Sequence, residues 1–229
     1  MQFHWLNKQD SENLIVFLAG WSFDYKPFEF MDCGNCDVLF VYDYNSITES
    51  KFETIRFVNN YKHKTLLAWS MGVYAAYKLK DFFKDFDTKV AINGTVFPVD
   101  NEFGIPEKPF LLTLRHAKTG LEGKFYQNIF DKNEEFERYL NTPVERSIEN
   151  RVDELKSLYE DIKNSPKEYE EFYDFAFVSK NDKIIPPTNQ INFWKNFKTP
   201  YKILESGHFP YYNFKRWKDY EPQNNQKTI

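Results

Sequence analysis

Hydrophobic positions along the chain gather into short, nearly continuous runs separated by longer amphipathic stretches. Residues 14–19 (LIVFLA), 38–42 (VLFVY), 65–69, 90–92 and 175–179 (FAFVS) have the length and composition of strands, and 201–204 (YKIL) is a weaker member. Runs that are apolar at successive positions suit strands buried on both faces of a largely parallel sheet. The opening residues QFHWL alternate instead, which predicts an antiparallel edge strand in a hairpin with the run at Leu14. Residues 46–61, 71–83 and 187–197 carry helical periodicity between the runs. This alternation predicts an α/β domain, with helices on both faces of a mostly parallel central sheet.

The rhythm breaks between about 105 and 170. Strand signals vanish there, and two segments, 133–140 and 144–162, read as amphipathic helices. In the second, Ile148, Val152, Leu155 and Leu158 recur at helical spacing and define an apolar face. A helical insertion without its own evident core predicts a lid, inserted at about 105–170 into a single domain covering 1–229. The final EPQNNQKTI is expected to fray.

Composition narrows the function classes. Hydrophobic residues are 41% of 229, enough to build a core, and the abundant Phe and Tyr carry no evident binding code. A net charge of −4 argues against attraction to nucleic acid or anionic lipid. Lys8, Asp10 and Glu12 interrupt any secretory signal, and the longest apolar stretch, 66–76, is far short of the roughly 20 residues a membrane span needs. A soluble, cytoplasmic monomer is the expectation. Cys33 and Cys36 form CGNC, but no histidine stands at a spacing that would complete a zinc site, and the pair precedes a strand instead of opening a helix. Two reduced thiols in a turn, and no metal, are expected.

Within 66–76, LLAWSMGVYAA, Ser70 stands where a strand run passes into a helical one. A nucleophile held on such a turn needs small residues two places to either side, because the backbone is strained and closely approached. Ala68 and Gly72 supply them, so AWSMG is G-x-S-x-G with alanine for the first glycine. A serine hydroxyl needs a base, and in this architecture acid and histidine follow the serine in that order, each on a loop after a late strand. Of four histidines, His4 falls in the edge strand, His63 just before the serine strand and His116 in the insertion. His208, in ESGHFP after YKIL, is well placed. Asp182 lies at the polar tip of FAFVSKND and would orient the His208 ring, with Glu205 the alternative. An oxyanion hole would take its donors from the amide of Met71 and from that of Trp21, which follows Gly20 in LAGWSFD. Trp21, Trp69 and Phe209 flank these groups and would line an apolar slot. Together these elements imply a serine hydrolase of α/β-hydrolase architecture.

The segments FLAGWSFD, VLFVYDYNSI, LLAWSMGVYAA, AINGTVFPVDNEFGIP and SGHFPYYNF resemble the BioG-type pimeloyl-[acyl-carrier protein] methyl ester esterases of biotin synthesis, from about 13 to 217. The resemblance implies hydrolysis of the distal methyl ester to methanol and pimeloyl-carrier protein, with Ser70 as nucleophile, His208 as base and the Trp21 and Met71 amides as oxyanion donors. It implies no cofactor and an acyl carrier protein as partner. In AGWS, Ser22 stands where a second glycine is common. Carrier proteins are acidic, yet residues 105–170 hold 11 Lys and Arg against 14 Asp and Glu. Arg138, Arg146 and Arg151, or the KRWK at 215–218, are the candidate cationic faces. A general short-chain esterase or thioesterase, or a binding protein that keeps the fold without the chemistry, are the alternative readings.

Overall fold

The structure is a computed structural model that describes residues 1–48, 58 and 60–222. Its sheet contains β1 (Gln2–Asn7), β2 (Asn13–Leu18), β3 (Asp37–Tyr42), β4 (His63–Trp69), β5 (Thr88–Ile92), β6 (Phe175–Ser179) and β7 (Tyr201–Leu204). The strand order is β1-β3-β2-β4-β5-β6-β7, and every neighbouring pair is parallel except β1 with β3. This is the mostly parallel α/β sheet that the apolar runs predict. Leu14 to Leu18, all of β3 and Thr65 to Trp69 are buried, so these three strands form the sheet's centre.

The edge strand exists but its partner differs from the expected one. β1 pairs with β3 (Gln2 opposite Tyr42, His4 opposite Phe40) and not with the run at Leu14. The reason is that β2 already has parallel neighbours on both sides, β3 and β4. A strand that apolar needs both edges filled by long-range pairing, and a hairpin would have left it nearer the rim.

Helices α1 (Met71–Lys78) and α2 (Lys80–Phe83) divide the expected 71–83 helix at Leu79, whose φ of −107° and ψ of 23° leave the helical region. Between β5 and β6 come α3 (Glu107–Arg115), α4 (Ala117–Glu122), α5 (Phe125–Ile129), α6 (Asn133–Leu140) and α7 (Ile148–Asn164). The region is helical as expected, but three short helices precede the two anticipated. α7 also begins at 148 instead of 144. Ser147 caps it by accepting the Asn150 N–H, while the Glu145 and Arg146 N–H groups are both taken by the Asp24 carboxylate. α8 (Pro187–Asn196) closes the order before β7. The helix expected over 46–61, like the tail beyond 222, lies largely outside the described residues.

Much of the aromatic content packs the core near β2 and the C-terminal segment. Phe17 lies 5.1 Å from Phe40, 5.3 Å from Phe28 and 4.8 Å from Trp217, in tilted ring pairs. Among the described residues no helix is long and apolar enough to cross a membrane.

Candidate active site

β4 ends at Trp69 and α1 begins at Met71, so Ser70 alone makes the turn between them. Its φ of 55° and ψ of −123° are sterically costly for a residue with a Cβ, of order 1–3 kcal/mol. The turn survives because its surroundings specify it. The Ser70 N–H donates to Ile92 O at 2.9 Å, which ties the turn to the end of β5. Gly72 lets α1 press onto β2: a Cβ there would come within 3.0 Å of the Leu18 and Ala19 carbonyl oxygens. Gly94 does the same on the other side, where a Cβ would stand 2.5 Å from Ser70 O. Ala68 sits in register between Leu18 of β2 and Ala91 of β5.

Three residues far apart in sequence meet at this turn. His208 Nε2 lies 2.8 Å from Ser70 Oγ, and His208 Nδ1 lies 2.8 Å from Asp182 Oδ2. All three are buried. Asp182 is itself held: Oδ1 accepts the Ile184 and Ile185 N–H groups at 2.8 and 2.9 Å, and Oδ2 also accepts from Gln190 Nε2 at 2.9 Å. With two backbone donors on one oxygen, the carboxylate has one orientation left to offer the ring. Glu205, the alternative, points into solvent and pairs with Lys180 at 3.0 Å. His4 stacks on Tyr25, while His63 and His116 are exposed.

Asn93, which sequence reasoning missed, fixes the histidine loop together with Trp69. Asn93, fully buried with φ 45°, donates from Nδ2 to His208 O at 2.9 Å and to Ser179 Oγ at 2.8 Å. Its Oδ1 accepts the Ser179 N–H at 2.7 Å, so one side chain joins β5, β6 and the loop. Trp69 donates its indole N–H to the same His208 carbonyl at 2.9 Å. The signal for Asn93 was its place after a buried strand beside a glycine, a position that tolerates positive φ. Gln190 carried no such signal, being one polar residue within α8.

The loop after β2 brings Gly20 and Trp21 beside the serine. A Cβ on Gly20 would lie 3.0 Å from Ser70 Cβ and 3.1 Å from the Trp69 ring, so only glycine lets the two segments meet this closely. Among the described residues, no protein acceptor takes the backbone N–H of Trp21 or Met71. Ser22 follows with φ 71°, the left-handed conformation in which a second glycine would be at ease.

A buried charge network backs that loop. Glu154 of α7, fully buried, accepts the Ser22 N–H on Oε2 at 3.1 Å and the Tyr44 N–H on Oε1 at 2.7 Å. Arg146 Nη1 stands 2.9 Å from Glu154 Oε2, and Arg146 Nη2 stands 3.4 Å from Asp43 Oδ1. Burial pushes the Glu154 carboxyl above its ordinary value, opposed by Arg146 and the two N–H donors. Arg151 Nη1 donates to Tyr126 OH at 2.6 Å. The candidate grouping of Arg138, Arg146 and Arg151 on one outward cationic face therefore does not form. Arg146 and Arg151 turn inward to neutralise or satisfy buried groups, and Arg138 lies over the rings of Phe30 and Tyr212 at 4.4 and 4.1 Å.

Ser70 and His208 open into a cavity of about 190 Å³. Trp21 and Trp69 line it, as do Phe110 of α3, Phe125 of α5 and Leu155 of α7. Phe209 does not reach it: its ring is 1% exposed, packed among Phe23, Phe28, Phe130 and Tyr211. Thr113, Asn128 and Lys183 supply polar groups at the wall. A hydroxyl in contact with a buried imidazole, itself paired to a carboxylate and facing an apolar cavity, is equipped for acyl transfer.

A family model described as pimeloyl-ACP methyl esterase BioG matches residues 1–220. A malonyl-[acyl-carrier protein] O-methyltransferase of Bacteroides fragilis is 29% identical over 196 residues, 85% of this chain but only 39% of that longer protein. An uncharacterized protein of Haemophilus influenzae is 30% identical over 207 residues, covering 90% of this chain and 93% of its own. Among solved structures, BioG from Haemophilus influenzae superposes with a TM-score of 0.85 at 28% identity, covering 97% of this chain and all of the other. A lipase-esterase related protein from Clostridium acetobutylicum (TM-score 0.59, 18% identity, 91% and 92% covered) shares the fold.

Proposed function

We propose that this chain, which belongs to the pimeloyl-ACP methyl esterase BioG family over residues 1–220, hydrolyses the methyl ester of a pimeloyl group carried on acyl carrier protein. Family membership supports a carboxylic ester hydrolase; the serine mechanism and the carrier-bound substrate are our reading. The observation that carries it is the unbroken relay from Asp182 through His208 to Ser70, each step 2.8 Å, at the floor of an apolar cavity.

Ser70 Oγ attacks the ester carbonyl as His208 Nε2 takes its proton, and Asp182 holds the ring by accepting Nδ1–H and stabilises the imidazolium. The Trp21 and Met71 N–H groups receive the oxygen that becomes negative. His208 then protonates the departing methoxide, releasing methanol, and water, deprotonated by the same nitrogen, frees the acid from Ser70. The apolar walls from Trp21, Phe110 and Leu155 suit a methylene chain, and the helices of 105–170 serve as the lid that excludes bulk water. Lys215 and Lys218, both exposed, remain available to an acidic carrier, unlike Arg146 and Arg151.

The test is the mass of the carrier protein after incubating its methyl-pimeloyl form with the enzyme, beside Ser70→Ala. Loss of one CH₂, seen only with the wild type, is the expected result. Release of the whole acyl chain identifies a thioesterase instead. An unchanged carrier alongside hydrolysis of small esters removes the carrier-bound substrate and leaves a general esterase.

A further inference from the structure

The oxyanion loop is held from outside its own strand. Three successive points of residues 19–22 are gripped by groups from elsewhere. Tyr44 OH donates to Ala19 O at 2.8 Å, the Trp21 indole donates to Arg151 O at 2.7 Å, and the Ser22 N–H donates to Glu154 Oε2 at 3.1 Å. Two of these three partners belong to α7, in the inserted helical segment. A third link from the insertion runs through Tyr126 of α5, whose OH lies 3.1 Å from Ser22 Oγ.

Ser22 needs this support. Its φ of 71° is unfavourable for a residue with a side chain, so a free loop would relax by turning the Trp21–Ser22 peptide, and Trp21, whose own N–H lies one peptide further back, would move with it. The residue that restrains it is chemically unusual. Glu154 is a carboxylate with no exposed surface, a costly choice unless every lone pair has work. It has three donors: the Ser22 N–H, the Tyr44 N–H and Arg146 Nη1. An ionised carboxylate accepts at both oxygens, whereas a glutamine of the same shape offers one acceptor and turns an NH₂ toward a donor.

We infer that Glu154 is a positioning residue for the oxyanion hole: from the lid helix α7 it holds Ser22 in the left-handed conformation that aims the Trp21 N–H at the space beside Ser70. Helix α7 also supplies Leu155 to the wall of the same cavity, so the element that shapes the acyl pocket also sets the oxyanion donor. This rests on the Ser70 mechanism proposed above and on Trp21 as a donor. Its consequence is that the hole is complete only with α7 in place.

Glu154→Gln tests it, with a pair of ligands that separates the hole from the pocket. A trifluoromethyl ketone adds Ser70 Oγ to its carbonyl carbon, His208 takes the hydroxyl proton, and the resulting oxyanion occupies the hole. The matching secondary alcohol fills the pocket with no such charge. Glu154→Gln is expected to lower kcat roughly 10- to 100-fold with little change in KM, less than or comparable to outright loss of one donor. Ketone affinity falls by a similar factor, while alcohol affinity stays within about twofold of the wild type. Equal weakening of both ligands, or wild-type kcat and ketone affinity, overturns the inference. Ser70→Ala in the same assay keeps the two readings apart: an active Ser70→Ala refutes the mechanism, whereas an inactive one beside an unaffected Glu154→Gln refutes only the role of Glu154. Should Glu154→Gln fail to fold, hydrogen exchange of the wild type decides. The Ser22 N–H is expected to exchange slowly, and exchange at the rate of exposed loop amides overturns the proposal.

Discussion

Asp182→Asn is the most informative single substitution, because the surroundings of Asp182 dictate how an asparagine must sit. Asp182 Oδ1 accepts two backbone N–H groups, from Ile184 and Ile185. An asparagine keeps its oxygen there, since an NH₂ facing two N–H donors would leave three donors without an acceptor. Its NH₂ then occupies the Oδ2 position, 2.8 Å from His208 Nδ1, and donates where the carboxylate accepted. The imidazole answers by carrying its proton on Nε2, which now points an N–H at Ser70 Oγ and cannot remove the hydroxyl proton. Loss of the correct tautomer in such a relay costs about 10⁴ in kcat, or about 5.4 kcal/mol of transition-state stabilisation. Gln190 adds a local consequence. Its Nε2 donates to Asp182 Oδ2 and to Ile185 O, both at 2.9 Å, while its buried Oε1 has no partner among the described residues. The asparagine NH₂ opposes that donor, and turning the Gln190 amide over would satisfy it only by giving up Ile185 O. The expected outcome is a kcat lower by about 10⁴ on a small methyl ester with thermal stability reduced by about 1–3 kcal/mol, one unsatisfied buried group. Circular dichroism confirms that the protein is folded. A folded Asp182→Asn enzyme within tenfold of wild-type kcat would refute the relay.

Gly72→Ala is expected to destabilise the protein by about 1–3 kcal/mol, because a Cβ within 3.0 Å of two backbone oxygens forces α1 away from β2. Thermal or urea denaturation reads this directly, and an unchanged midpoint would mean that the turn is looser than the close approach requires. For CGNC, burial first and the Asp32 charge second push the Cys33 thiol up to about 11. Deprotonation creates a buried charge, so the thiolate appears only as pH rises through that value, and its fraction at pH 8 is roughly a hundredfold below that of a thiol of ordinary pKa. Greater thiolate nucleophilicity recovers about a factor of ten, so alkylation by iodoacetamide at pH 8 should run roughly tenfold slower than for an exposed cysteine. A Cys33 alkylation rate half-maximal near pH 9 would contradict this.

The fold was legible wherever burial on both faces wrote itself as continuous apolarity. β2, β3 and β4 are such runs, and their existence as strands followed from composition and length alone. What periodicity did not carry was pairing. The alternating residues of β1 identified an edge strand, but its place beside β3 depends on which slots the later strands fill, a property of the whole sheet. Helix boundaries slipped for a similar reason. Residues 144–147 have helical composition, yet the Glu145 and Arg146 N–H groups were claimed by Asp24, about 120 positions away in the chain.

The same division holds in the site. Ser70, Asp182 and His208 were legible because each needs a local signature: small neighbours around a strand-to-helix turn, a polar tip after a strand, a glycine before a loop histidine. Asp182 was preferred for its strand-tip position with Glu205 as the alternative, and the path of the chain separates a buried carboxylate at 2.8 Å from one paired with Lys180 in solvent. Glu154 carried no signal in the sequence. The apolar positions Ile148, Val152, Leu155 and Leu158 placed the inward face of α7 one way, but the residues that are in fact buried are Arg151, Glu154, Leu155 and Leu158. The face is rotated toward the two charges, leaving Ile148 and Val152 half-buried. Hydropathy cannot reveal this, because a charge is admitted to the interior only by partners, and those of Glu154 come from residues 22, 44 and 146. Polar residues buried at long sequence separation are thus where pattern reading fails, and they are also where an α/β fold can tie an inserted helix to the backbone amides beside its serine. A carboxylate with no exposed surface at such a junction is better explained by what it holds than by what it contributes to stability.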